Sequence, residues 1–242
     1  GTTITASYNS ASATARINVI EPPTGLVINE IDYDQPGTDM DEFVEIYNGT
    51  GAAVDFTNLA IAFVNGSSAA SNQPNLQYMQ ASLAGVGMLP AGSYLLVTKQ
   101  GLVTDPGLNC AGPGVGTTCI LFTPTVFADN PSNPPNQPPT KPTAWPGSGI
   151  QNGDPDGVLL LNTSTGRVID RLSYGGPMTT CKVTNIGGEI SLVEGTALDP
   201  TVRDVVTGSL GRNELGRDTN DANTDWKFSA TPSPGKANPA FQ

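Results

Sequence analysis

The chain has 242 residues, with 22 acidic side chains against 11 basic ones and no histidine. That composition excludes a Ser-His-Asp triad, a Cys-His pair, a His-x-x-x-His zinc site and a histidine-ligated haem, and the formal net charge of −11 repels nucleic acid and anionic lipid alike. Glycine (28) and proline (21) make up about a fifth of the residues, short of an unperiodic low-complexity chain, so a folded core is expected.

Residues 1–24 read as a β-hairpin and linker. Thr3 to Tyr8 and Ala13 to Ile20 alternate small or polar residues with apolar ones across Asn9-Ser10, and Glu21-Pro-Pro-Thr-Gly25 follows. A lone hairpin is marginal in water, so this one is expected either to lean on the following domain or to add to the sheet edge of another chain. Ile4, Tyr8, Ile17 and Val19 are its candidate assembly residues. The start, Gly1-Thr2-Thr3, has neither an initiator Met nor a signal-peptide pattern, which predicts a processed chain or a piece of a longer one.

From residue 25 onward, short runs rich in Val, Ile and Leu are bounded by Gly, Pro, Asn and Asp, the pattern of strands joined by turns. Such runs are Leu26–Ile31, Phe43–Tyr47, Leu59–Val64, Tyr94–Thr98, Cys119–Phe122, Val158–Leu161, Val168–Tyr174 and Ile190–Val193. Leu59, Ile61 and Phe63 alternate with alanines, so one strand face carries the bulk. Asn162-Thr-Ser-Thr-Gly166 predicts a hairpin turn. Eight prolines between Pro124 and Pro146 predict an extended loop rather than a ladder strand. No window shows a helical apolar period. The expectation is an all-β, immunoglobulin-like β-sandwich over 25–242, with inserted loops at 66–146 and an N-terminal hairpin extension.

Cys110 and Cys119 bracket a turn-rich segment that would let a disulfide close, and Cys181 is left free or bridged elsewhere. The alternative is three buried thiols. A loop-closing disulfide, sparse Lys and abundant Thr, Ser and Asn point to an extracellular or cell-surface location. Asn48, Asn65 and Asn162 sit in glycosylation sequons. No apolar run approaches the roughly 20 residues of a membrane span, so no membrane insertion is expected.

The 82 residues from Ile17 to Thr98 hold nine acids and no Lys or Arg. Within them Glu30, Asp32, Asp34, Asp39, Asp41, Glu42 and Glu45 could supply oxygens to calcium, although the spacing fails the EF-hand pattern. Asn152, Asp154 and Asp156 form a second candidate, and Asp218, Asn220, Asp221 and Asp225 a third. The competing reading is that these residues cap turns without an ion, so no cofactor is required. Glu45, between Val44 and Ile46, is the one carboxylate considered as an acid catalyst; the commoner role is a hydrogen bond to a neighbouring loop. The bases Arg167, Arg171, Lys182, Arg203, Arg212, Arg217, Lys227 and Lys236 lie in the last third and are expected to pair within the domain rather than with another copy. No active site is found.

The ordered segments Val27-Ile-Asn-Glu-Ile-Asp-Tyr-Asp34, Asp41-Glu-Phe-Val-Glu-Ile-Tyr-Asn48, Ile150 to Val158, Arg167 to Gly175, Ser209-Leu-Gly-Arg212, Asp218 to Asp221, Asp225-Trp226 and Thr231 to Asn238 resemble lamin-tail domains of the secreted bacterial type. The N-terminal hairpin resembles the last strands of a bacterial immunoglobulin-like domain. The resemblance implies a binding or scaffolding module without catalytic residues. Its expected partner is protein, either copies of itself or a cell-surface component, and not nucleic acid. The alternative is an accessory module cut from a secreted nuclease or phosphatase.

Overall fold

The computed structural model describes residues 2–8, 11–17, 25–37, 39, 42–66, 75–98, 119–124, 126–128, 142–143, 149–205, 207–213 and 216–239. Because side chains in a strand point alternately to opposite faces, the Val-, Ile- and Leu-rich runs bury two faces as strands where they could not as helices. They form β1 (Thr2–Tyr8), β2 (Ala11–Ile17), β3 (Leu26–Asp32), β4 (Phe43–Asn48), β5 (Val54–Asp55), β6 (Leu59–Asn65), β7 (Leu76–Ser82), β8 (Met88–Leu89) and β9 (Tyr94–Thr98). The second half adds β10 (Cys119–Phe122), β11 (Val126–Ala128), β12 (Pro142–Thr143), β13 (Asp156–Asn162), β14 (Arg167–Tyr174), β15 (Cys181–Lys182), β16 (Glu189–Ile190), β17 (Ser209–Arg212) and β18 (Trp226–Ser229). One short helix, α1 (Ala222–Asp225), is capped by the Asp221 side chain accepting from the Thr224 N–H.

Two sheets make the all-β sandwich. One runs β10-β9-β4-β3-β17-β18; the other runs β12-β11-β7-β6-β13-β14, with β15 and β16 attached through β7. The principal core lies between them, built from Ile28, Ile31, Val44, Ile46, Leu95 and Trp226 on one side and Ile61, Phe63, Met79, Val158, Leu160 and Leu172 on the other. The alternation in β6 is as expected, but its alanine face is also buried. Ala60, Ala62 and Val64 pack with Leu159, Leu161, Met178, Cys181, Val183 and Leu192 in a second, smaller core on the outer face of that sheet.

Two expectations are corrected. Besides the expected strands Tyr94–Thr98 and Cys119–Phe122, the span 66–146 contributes β7, which lies between β6 and β11. β7 escaped notice because Gln77 and Gln80 interrupt its apolar run, yet both are buried. The proline-rich stretch does contain ladder strands. Val126–Ala128 falls between prolines and pairs with β7, while Pro142 sits on the terminal strand β12, where a missing N–H is tolerated.

The ladder between β3 and β4 is interrupted by a bulge. Ile28 pairs with Ile46 and Glu30 with Glu45, leaving Asn29 as the extra residue. Bulges re-aim side chains and free backbone groups from the ladder.

Candidate functional site

The bulge places polar groups inside the sandwich. The Ile28 N–H donates to Asp170 Oδ2 at 2.6 Å, and the Ile28 carbonyl accepts from Arg212 Nε at 2.9 Å. Arg212 is fully buried, its Nη2 2.7 Å from Asp170 Oδ1 and its Nη1 3.3 Å from both Asp218 Oδ1 and Asp225 Oδ2, while Glu194 Oε2 lies 3.7 Å from Nη2. Its guanidinium carbon lies 4.9 Å from the Trp226 ring centroid. Burial opposes the arginine's charge, but Asp170, Asp218, Glu194 and Asp225 outweigh it and raise its pKa. Glu194 is pushed up to about 8, by burial first and then by the Asp170 charge.

In the third calcium candidate, Asp218 and Asp225 both face Arg212. The loop from Asp218 to Asp225 does surround a cation, but the cation is the chain's own guanidinium. Asp225 further accepts from the Thr219 N–H and hydroxyl, Asn220 takes a positive φ in the turn, and Asp221 caps α1. Intrachain pairing also accounts for Arg171 with Glu194, Lys182 with Glu189 and Arg203 with Asp154.

Around the bulge, Asn29 Nδ2 donates to Glu45 Oε1 at 2.7 Å, and Glu45 Oε2 accepts from the Gly235 N–H. Glu30 accepts from the Ser209 hydroxyl at 2.6 Å and from the N–H and hydroxyl of Ser233 at 2.8 and 2.9 Å. Asn238 Nδ2 donates to the carbonyls of Asn29 and Arg212, both at 2.8 Å. These paired carboxylates therefore fasten the 231–238 segment across β3, β4 and β17. Burial raises the pKa of Glu30, and burial with the Glu30 charge raises that of Glu45 well above the carboxylate range. An open cavity of about 540 Å³ lies beside them, lined by Glu30, Arg212, Lys227, Phe228, Ser233 and Asn238.

The first two calcium candidates, far apart in sequence, meet at one end of the sandwich. Asn152 Nδ2 donates to Asp34 Oδ1 at 3.2 Å and to Asp39 Oδ2 at 3.1 Å. Asp39 Oδ1 accepts from the Gln35 N–H, and Asp32 Oδ1 from Gln35 Nε2. Glu42 is turned away to accept from the N–H groups of Gly149 and Ile150. Asp154 pairs with Arg203 at 2.9 Å, and Asp156 Oδ1 accepts from the Gly66 N–H at 3.1 Å. Sequence reading missed Asp204, whose Oδ2 accepts from the N–H groups of Tyr33 and Asp34 at 2.9 and 3.2 Å. Nothing in the local sequence around Asp204 signals that role.

The Tyr174 hydroxyl is buried here without a hydrogen-bond partner, while the Gly153 and Val205 N–H groups add to the support of Asp156 and Asp204. Burial, then the Asp204 charge, pushes Asp32 up to about 8; burial does the same for Asp156, and lifts Asp204 to about 6. Among the described residues, no three acidic or thiol side chains stand close enough together to hold a metal in their present positions.

Cys181 is a free thiol in the second core. Cys110 lies outside the described residues, as do Asp41 and Val19, so the disulfide has no geometry here. Asn48 is buried and its amide donates to the carbonyls of Ala52, Leu89 and Pro90, which removes it as a glycan acceptor. In the hairpin, Thr2 pairs with Ile17, Ile4 with Ala15 and Tyr8 with Ala11, so Ile4, Tyr8 and Ile17 occupy positions on one face of the ribbon. Among the described residues, no helix is long and apolar enough to cross a membrane.

The lamin tail domain profile matches residues 21–176, more than half of the chain. A crystal structure of a DUF4876 family protein from Bacteroides thetaiotaomicron is similar at 13% identity, with 92% of this chain and 74% of that one covered and a TM-score of 0.47. No curated protein matches.

Proposed function

This chain belongs to the lamin tail domain family, and on that premise we propose that it is a non-catalytic, secreted interaction module that works by protein–protein contact through its N-terminal hairpin. The observation that carries the reading is the pairing of β1 and β2 with each other and, among the described residues, with no strand of either sandwich sheet. A two-stranded ribbon gains too little from its own burial to persist alone, and its outer edges offer unpaired backbone groups to a further strand. A second copy of the chain supplies such an edge.

The non-catalytic reading is supported by how three of the buried carboxylates are used. Glu45 is spent on Asn29 and Gly235, Glu30 on Ser209 and Ser233, and Asp170 on Arg212 and Ile28. Secretion rests on composition, and protein rather than nucleic acid as partner rests on the negative charge.

Sedimentation velocity over a wide concentration range tests the assembly. The full chain is expected to associate as its concentration rises, and Thr5→Pro, which removes an N–H from the middle of β1, is expected to stay monomeric with an unchanged near-UV circular dichroism spectrum. Monomers throughout for both chains, or identical association by both, would refute it.

A further inference from the structure

We propose that Asn152 is a site of covalent modification: the Gly153 backbone nitrogen attacks its side chain and displaces the amide, leaving a mixture of aspartate and isoaspartate at the end of the sandwich. The site does not rest on the proposed assembly through the hairpin.

The chain holds three Asn-Gly pairs, at Asn48, Asn65 and Asn152. Glycine has no Cβ to hinder the approach of its nitrogen to the preceding side chain, so the three are chemically alike in an unfolded chain. In the reaction the glycine nitrogen bonds to the asparagine Cγ, the Cγ–Nδ2 bond breaks, and ammonia leaves with the proton of that nitrogen. The resulting five-membered imide takes up one water at either carbonyl. Opening on one side gives aspartate; on the other it routes the main chain through the side-chain carbon and gives isoaspartate. Water is the one co-reactant. Ring closure requires the asparagine backbone to rotate out of the extended conformation, which a paired strand opposes. The fold therefore decides which pair reacts.

Two pairs are held. Asn48 ends β4, where its N–H donates to the Ser93 carbonyl at 2.9 Å and its carbonyl accepts from the Gly92 N–H at 2.7 Å. Its side chain is buried on the carbonyls of Ala52, Leu89 and Pro90, and the Gly49 N–H donates to the Gly25 carbonyl. Asn65 ends β6 and pairs with Leu76 on one side and Asp156 on the other. The Gly66 N–H donates to the Pro155 carbonyl at 2.9 Å and to Asp156 Oδ1 at 3.1 Å.

Asn152 is exposed and lies in no strand. Its amide contacts, 3.2 Å to Asp34 Oδ1 and 3.1 Å to Asp39 Oδ2, are open to solvent, so they break at little net cost. The Gly153 N–H supports Asp156 and must leave that contact to attack, but no ladder holds it. The product reverses the polarity of this seam, because a carboxylate replaces the donor that joined Asp34 to Asp39. Glu42 still accepts from the Gly149 and Ile150 N–H groups, so the fold is retained and only this end loosens.

Peptide mapping by mass spectrometry of the full chain, held folded in mildly alkaline buffer, tests the site. A gain of about 1 Da, split between aspartate and isoaspartate peptides, is expected first at Asn152. Asn48 and Asn65 should convert at least about tenfold more slowly, since they react only after local opening. In guanidinium chloride the three rates should converge. Asn152→Gln, whose ring would have six members, should suppress the gain at that position. Asn152→Asp, which carries the charge of the product, should lower the melting temperature by about 2–4 °C, the shift expected for about one lost hydrogen bond in a chain of this size. Equal rates at the three sites in the folded chain, or conversion of Asn152 in denaturant alone, would overturn the proposal. An unchanged melting temperature for Asn152→Asp would overturn the loosening of this end.

Discussion

Replacing Arg212 with Met tests the account of the buried charge cluster. The substitution keeps an unbranched apolar stem but removes the guanidinium that lies over Trp226 and is the one cation shared by Asp170, Asp225 and Glu194, which are 1%, 2% and 6% exposed. Each of the two contacts at 2.7 Å to Asp170 and 3.3 Å to Asp225 is worth roughly 4 kcal/mol or more in gross Coulomb energy at an effective dielectric of about 20. Most of that gain offsets the desolvation of the ions. The relevant quantity is therefore the penalty of leaving the acids unpaired, about 3–5 kcal/mol for removal of one partner of a buried pair. The Ile28 carbonyl also loses the Nε donor.

For a chain of this size, about 3–5 kcal/mol corresponds to a fall in Tm of about 8–15 °C, read by circular dichroism or differential scanning calorimetry at pH 7. The deficit should shrink at pH 5, because acids without their arginine protonate more readily in the folded state. Arg212→Lys keeps the charge but loses the fork that reaches Asp170 and Asp225 together, and should fall between the two. A Met variant within about 1 kcal/mol of the parent at pH 7 would refute the reasoning, and would mean that the cluster is solvated or already protonated.

The buried carboxylates also set the pH dependence. Asp32, Asp156 and Glu194, held near about 8 chiefly by burial, keep protons in the fold that the unfolded chain releases at about pH 4. Their stabilisation is full below about pH 4 and is lost as pH rises toward about 8. Asp221, lowered to about 2 mainly by the Thr196 N–H, acts in the opposite sense and loses its contribution as pH falls from about 4 to about 2. The melting temperature in metal-free buffer should therefore be higher at pH 5 than at pH 8; an equal or lower value at pH 5 refutes this. Gly175, at φ +66°, lies so close to the Asp154 carboxylate that a Cβ would overlap it. Gly175→Ala should cost about 1–3 kcal/mol through left-handed strain and displacement of the Asp154–Arg203 pair, seen as a lower urea midpoint; an unchanged midpoint refutes it.

How much of the fold and of the polar clusters was legible in the sequence depended on the kind of contact. β3, β4, β6, β9 and the β13–β14 hairpin were readable because their Val, Ile and Leu runs end in turn residues. β7 was not, because Gln77 is buried to accept from the Thr184 N–H, a partner 107 residues away that no local pattern announces. β17 and β18 are four residues each, too short for periodicity to register. The contact of Asp218 and Asp225 with Arg212 could not be read from the loop itself, since Arg212 reaches it from β17. The meeting of Asn152 with Asp34 and Asp39 was equally invisible, although both segments were separately marked by their oxygen-rich spacing. Asp204 had no such mark, as its role comes from the backbone of Tyr33 and Asp34.

The net charge takes on a different meaning once the acids are placed. The formal value of −11 treats every acid as an exposed anion, yet Glu30, Asp32, Glu42 and Glu45 of the basic-free stretch are buried. With Asp32 pushed up to about 8 by burial, part of that formal charge is carried as a proton at neutral pH, and burial opposes ionisation of Glu45 as well. The acidity of the first half is thus divided between two uses. One set, at the β3 bulge, holds the C-terminal segment to the sheet through Asn29, Ser209, Ser233 and Gly235. The other, at the end of the sandwich, is engaged by the Asn152 amide, with Arg203 paired to Asp154 at its edge.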